Sequence, residues 1–128
     1  MNIKLLVADD SSIMRRVIKT SAETLDMEII EAQDGAEALE KLSEFYEEIG
    51  LVLLDWNMPE MNGYDVLVEI KSNPKYENIP VMMVTTEGQQ SNIISAVRAG
   101  ANNYLVKPFT VDDLSSKILE SIGQGGDV

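Results

Sequence analysis

Leu51-Val52-Leu53-Leu54 runs without a polar residue straight into Asp55, between Gly50 and Pro59. A run this short and this apolar reads as a strand buried on both faces. Such strands belong to parallel sheets that carry helices on each side. The carboxyl edge of an open α/β sheet is where ligands bind. Asp55 therefore stands at the mouth of a candidate site.

The rest of the chain repeats this pattern. Residues 3–8 form an apolar strand that ends in Asp9-Asp10. Ser11 or Ser12 then caps a helix. Met14, Val17, Ile18, Ser21, Ala22 and Leu25 are its buried stripe, with Arg15, Arg16, Lys19 and Glu23 on the other face. Residues 28–32 read as a shorter strand near a sheet edge. Asp34 with Glu37 has the spacing of a capping box. The helix behind it sets Ala36, Leu39, Leu42 and Tyr46 on one side, and Gly50 ends that segment.

Asn62-Gly63 signals a turn before a helix over 64–71 with Leu67 and Ile70 inward. Residues 81–85 are a fourth strand, polar only at Thr85. A helix over 89–99 carries Ile93, Ile94 and Val97, and Gly100 stops it. Residues 103–107 are a fifth strand, closed by Pro108. Thr110 caps a last helix bearing Val111, Leu114, Ile118 and Ile122. Five strand–helix alternations predict a doubly wound five-stranded parallel sheet, with helices on both faces and right-handed crossovers. Gly125 and Gly126 predict one domain over residues 1–124 and a flexible tail over 125–128.

Composition narrows the chemistry. With 22 acidic against 10 basic residues, the formal net charge is −12. That argues against nucleic acid, whose phosphates need clustered cations. The chain has no cysteine and no histidine, which removes thiol and imidazole chemistry. No apolar run approaches the ~18 residues of a membrane span. The expectation is a cytoplasmic monomer that meets no membrane.

The strand ends collect one set of groups. The first strand delivers Asp9 and Asp10, the third Asp55, the fourth Thr85 and the fifth Lys107. Any one of these alone reads as a cap, a satisfied hydroxyl or an exposed charge; the joint pattern does not. Carboxylates brought so close repel unless a cation joins them. Hard oxygen ligands without imidazole or thiolate suit Mg²⁺. A divalent ion with a lysine and a hydroxyl stabilises phosphoryl oxygens, and a carboxylate can be the nucleophile that forms an aspartyl phosphate. Asp55 is the candidate for that role.

These residues resemble those of a response-regulator receiver domain. The resemblance rests on Asp9-Asp10, on Asp55 with Met58-Pro59 and Gly63, on Thr85, and on Lys107-Pro108-Phe109, and it spans essentially the whole chain. Asp55-Trp56-Asn57-Met58-Pro59, Thr85 followed by Glu87, and Tyr104 look most like the single-domain chemotaxis members. The resemblance implies a flavodoxin-like sheet of strand order 2-1-3-4-5. It implies that Asp55 accepts a phosphoryl group from a phosphohistidine on a chemotaxis-type sensor histidine kinase. Asp10, Asp55 and the backbone carbonyl of Asn57 would bind Mg²⁺ directly, and Asp9 largely through water. Lys107 would pair with phosphoryl oxygen, Thr85 would donate to it, and Tyr104 would turn inward once Thr85 has moved. The Lys107–Pro108 bond would be cis.

By the same resemblance, the output face would be the fourth helix, fifth strand and fifth helix. Candidates there are Thr86, Glu87, Gly88, Gln89, Ile93, Val97, Tyr104 and Lys117, facing a flagellar motor switch protein. Core packing is an equally good reading of Ile93 and Val97. A phosphatase is a further possible partner. The chain itself would not be an enzyme beyond self-phosphorylation from a phosphodonor and self-dephosphorylation. Three positions depart from the pattern: Asn62 for the usual Asp, the bulkier Thr86, and neutral Gln89 and Gln90 where some chemotaxis members carry lysines.

Competing readings fit less well. An aspartyl phosphatase needs a second Asp two residues beyond the nucleophile, where this chain has Asn57. A flavin carrier needs an uncharged phosphate loop where Asp9-Asp10 stands. The closest alternative is a receiver that relays phosphoryl groups between kinases or serves a non-flagellar partner. With no effector domain expected after Ile122, direct transcriptional control is disfavoured.

Overall fold

Apolar runs and helical stripes become ten elements in strict alternation in this computed structural model, which describes residues 3–122. The strands are β1 (Lys4–Ala8), β2 (Glu28–Ala32), β3 (Ile49–Leu54), β4 (Val81–Thr85) and β5 (Asn103–Val106). The helices are α1 (Ser12–Thr24), α2 (Gly35–Phe45), α3 (Gly63–Ser72), α4 (Gln90–Arg98) and α5 (Val111–Ile122). All strand pairs are parallel and the order is β2-β1-β3-β4-β5, as the resemblance implied. The expected tail, residues 125–128, lies outside the described residues.

The sheet separates two apolar layers, because side chains alternate between its faces. Leu6, Val52, Leu54, Val81 and Met83 pack with Ala38 and Leu42 of α2, Val66, Leu67 and Ile70 of α3, and Ala96 of α4. Leu5, Val7, Leu51, Leu53, Met82 and Val84 pack with Ile18 and Ala22 of α1 and with Leu114 and Ile118 of α5. Burial on both faces is why β3 and β4 are apolar runs and not alternating ones.

Most caps follow the sequence. Ser11 accepts from the Met14 amide, Asp34 from Glu37, Asn62 from Asp65, and Thr110 from Asp113. The Glu37 carboxylate reaches one residue further back than a capping box requires, accepting from the Gln33 amide.

Several expectations are corrected. Gly50 lies inside β3 and does not end the preceding segment. In α2 the buried alanine is Ala38, with Ala36 exposed, because the helix starts at Gly35 and turns its stripe accordingly. In α5 Val111 is exposed and Ser121 is buried; its hydroxyl donates to the Lys117 carbonyl and accepts from the Asn103 amide. The core reading of α4 fails at Val97, which is 56% exposed, while Ile93 is half-buried; only Ala96 of that helix is fully buried, and Ile94 is 41% exposed.

Candidate functional site

Strand register assembles the site. Ala8 is the β1 partner of Leu54 in β3, so Asp9 and Asp55 are the next residues on adjacent strands. The Asp55 amide donates to the Ala8 carbonyl at 2.9 Å and locks that alignment. Thr85 is the β4 partner of Val106 in β5, so Lys107 follows, and its amide donates to the Thr85 carbonyl at 2.8 Å. The strand order reverses direction between β1 and β3. That opens a crevice beyond their carboxyl ends, where the three carboxylates stand.

One oxygen each of Asp9, Asp10 and Asp55 lies within 4.8 Å of the others. Asp9 and Asp55 are buried, at 2% and 8% exposure, while Asp10 faces solvent. The Lys107 ammonium reaches both buried carboxylates, at 2.8 Å from Asp9 Oδ2 and 3.2 Å from Asp55 Oδ2. Burial alone would lower the lysine pKa. The hydrogen bond to Asp9 and the charges of Asp55 and Asp9 outweigh it and hold the pKa above its ordinary value. The Lys107–Pro108 bond is cis.

Gly63 is required by proximity. A Cβ there would fall onto the Asp55 carbonyl oxygen. The first turn of α3 thus seats directly against the backbone that carries Asp55, and the Gly63 amide donates to the Trp56 carbonyl at 2.8 Å. Trp56 stacks on Tyr64 at a centroid distance of 5.2 Å.

The β4–α4 loop is tied to this site by one acidic side chain. Glu87 accepts from the Asn57 amide group at 2.9 Å and from that of Asn92 at 3.1 Å. Its backbone amide donates to the buried Thr85 hydroxyl at 3.3 Å, and its carbonyl accepts from the Tyr104 phenol. Burial first, then the charges of Glu87 and Asp55, push the Tyr104 pKa up.

The structure therefore brings Asp9, Asp10, Asp55 and Lys107 together. Thr85 lies on the neighbouring strand with its hydroxyl engaged by Glu87, and the backbone N–H of Asn57 donates to Asp55 Oδ1 at 3.3 Å. Thr86, Gly88 and Gln89 are exposed on the loop, Ile93 and Tyr104 are half-buried, and Lys117 sits on α5 3.9 Å from Glu120. Two contributors escaped sequence reasoning. Arg15, expected to point outward, donates to the Asp9 carbonyl at 2.7 Å and to Glu31 at 2.8 Å. Asn92 completes the Glu87 clasp. Neither has a local pattern that marks it, because both bonds cross between elements.

Residues 5–119 match the response regulator receiver domain family, and the chain belongs to it, as a receiver of the CheY type. It is 46% identical over 122 residues to chemotaxis protein CheY1 of Helicobacter pylori, spanning 94% of this chain and 98% of that protein. It is 45% identical to the CheY homologue of Campylobacter jejuni, over 96% of this chain and 95% of that one. The solved structure of chemotaxis protein CheY4 from Vibrio cholerae is 28% identical, with a TM-score of 0.87 over 94% of this chain and 99% of that one. Among the described residues, no helix is long and apolar enough to cross a membrane.

Proposed function

We propose that this receiver works as a phosphoryl-operated switch in chemotaxis, with Asp55 as phosphoacceptor. The carrying observation is the single Lys107 ammonium shared between the buried Asp9 and Asp55 carboxylates, with Asp10 beside them. An Asp55 oxygen attacks the phosphorus of a phosphohistidine on a sensor histidine kinase. The phosphorus–nitrogen bond breaks, and the imidazole keeps the electron pair and takes up a proton. The carboxylate's one negative charge becomes roughly two. Lys107 is already within reach to pair with them.

The donor set fits a hard divalent ion. It offers only oxygens, mutually within 4.8 Å, in a chain without imidazole or thiolate. Asp10, Asp55 and the Asn57 carbonyl would hold Mg²⁺ directly. Asp9, whose two carboxylate oxygens already accept from Ser11 and Lys107, suits contact through water. The ion, when bound, neutralises charge on the transferring phosphoryl oxygens.

Phosphorylation then offers the Thr85 hydroxyl, which accepts from the Glu87 amide, a charged acceptor for its own proton. Moving Thr85 disturbs the loop to which Tyr104 is bonded. The readout would be the face of α4, β5 and α5, presented to a flagellar motor switch protein. Full conversion from 1:99 to 99:1 needs about 5.5 kcal/mol. One ion pair and one hydrogen bond fall short of that, so the partner completes the switch.

Beryllofluoride with Mg²⁺, a phosphoryl mimic, should change the fluorescence of Trp56, the only tryptophan. It should also increase retention on a motor-switch peptide. Fluorescence change without added retention, together with phosphoryl passage to a histidine phosphotransfer domain, would favour a relay role instead.

A further inference from the structure

Every polar group of Asp9 is engaged. Its amide donates to the Ala32 carbonyl at 3.1 Å. Its Oδ1 accepts from the Ser11 amide at 2.9 Å and its Oδ2 from Lys107 at 2.8 Å. Its carbonyl accepts from Arg15 Nη1 at 2.7 Å. The last bond differs from the rest, because it comes back from α1 onto the turn that precedes that helix. Arg15 is aimed by a second bond, from its Nε to Glu31 Oε1 at 2.8 Å on β2. The arginine side chain is 16% exposed and that of Glu31 45%.

The Asp9 carbonyl and the Asp10 amide belong to one rigid peptide plane. Holding the carbonyl fixes the plane that launches Asp10. Asp10 is the exposed member of the acidic cluster, and no side-chain hydrogen bond of its own holds it among the described residues. Its position beside Asp55 therefore depends on the backbone beneath it.

We propose that Arg15, oriented by Glu31, is a positioning residue for divalent-ion binding, holding the β1–α1 turn so that Asp10 is presented to the ion that Asp55 shares. The inference rests on the functional reading above. Outer partners that orient metal ligands typically change affinity by about 10- to 100-fold when removed. A solvent-facing turn places this tether near the lower end.

The sign of the effect separates tether from charge. Arg15→Gln removes a cation beside an acidic site, so electrostatics alone would tighten Mg²⁺ binding; loss of the tether weakens it. Glu31→Ala and Glu31→Gln lose the same charge, but only the glutamine keeps an oxygen for Arg15. Calorimetric titration of the full-length protein with Mg²⁺ should show a Kd about 10-fold higher for Arg15→Gln and Glu31→Ala. Glu31→Gln should stay within about two-fold of the parent, because it keeps the hydrogen bond. Thermal unfolding without Mg²⁺ reports whether each variant is folded. Unchanged or tighter binding in Arg15→Gln, or equal losses in the two Glu31 variants, would overturn the tether while leaving the functional reading standing. A parent protein that takes up no Mg²⁺ would overturn both.

Discussion

Asp9 and helix α4 mark opposite extremes of how firmly this fold holds its parts. Asp9 is 2% exposed, and its backbone and carboxylate are bonded to four separate residues, Ala32, Ser11, Arg15 and Lys107. Helix α4 buries only Ala96, leaves Ile94 and Val97 in solvent, and starts at Gln89 without a side-chain cap. Its tie to the site runs through Glu87, Asn57 and Asn92. Chemistry needs groups that stay where they are. A signal needs an element that a small change of charge can bias, and segments with few buried contacts supply it. On the proposed function, the two regions would divide those tasks.

The sharpest way to break the comparison is by truncation. Leu54→Ala, at a fully buried position under the site, should cost about 3–4 kcal/mol in urea unfolding. Val97→Ala on α4 should cost no more than about 0.5 kcal/mol. Similar costs at the two positions would erase the distinction.

Lys107→Met should come next in size. It strands two buried carboxylates against each other, and breaking a buried pair costs about 3 kcal/mol. Mg²⁺ should restore part of that loss, because an ion held by the proposed site would bind only the folded protein. A variant as stable as the parent without divalent ions would show that the carboxylates tolerate each other unaided.

Alkaline titration gives a smaller effect whose sign is informative. The raised pKa of Lys107 means its contribution is complete below pH 10.5 and fades as pH climbs through the higher folded value. Lys71, where burial prevails over the charge of Glu77, has a lowered pKa although its ammonium donates to the Glu77 and Ile79 carbonyls and to Asn102. Its folded form releases the proton first, so its contribution rises with pH up to 10.5. Thermal midpoints measured from pH 9 to 12 should therefore fall less steeply in Lys107→Met and more steeply in Lys71→Met than in the parent.

Much of the fold was legible because the middles of β1, β3 and β4 have little choice: residues 5–8, 51–54 and 81–84 are buried on both faces and so are apolar. The caps at Ser11, Asp34 and Thr110 were legible because they are local. What escaped was set by tertiary packing. The α2 stripe runs through Ala38 and not Ala36, since the helix is rotated by how its first turn meets α3. Val111 looked like core by spacing alone, yet it precedes the point where α5 reaches the sheet. The acidic cluster and Lys107 could be read because strand ends converge in any sheet of this kind. Arg15 could not, because its bond to Asp9 depends on how α1 folds back across the end of β1, which no spacing records.

Intact mass after incubation with acetyl phosphate and Mg²⁺ tests the assignment of Asp55 most directly. The parent protein should gain one phosphoryl group, and Asp55→Asn, shown to be folded by its thermal unfolding, should gain none. A parent that stays unmodified under those conditions, or an adduct that persists in Asp55→Asn, would contradict it.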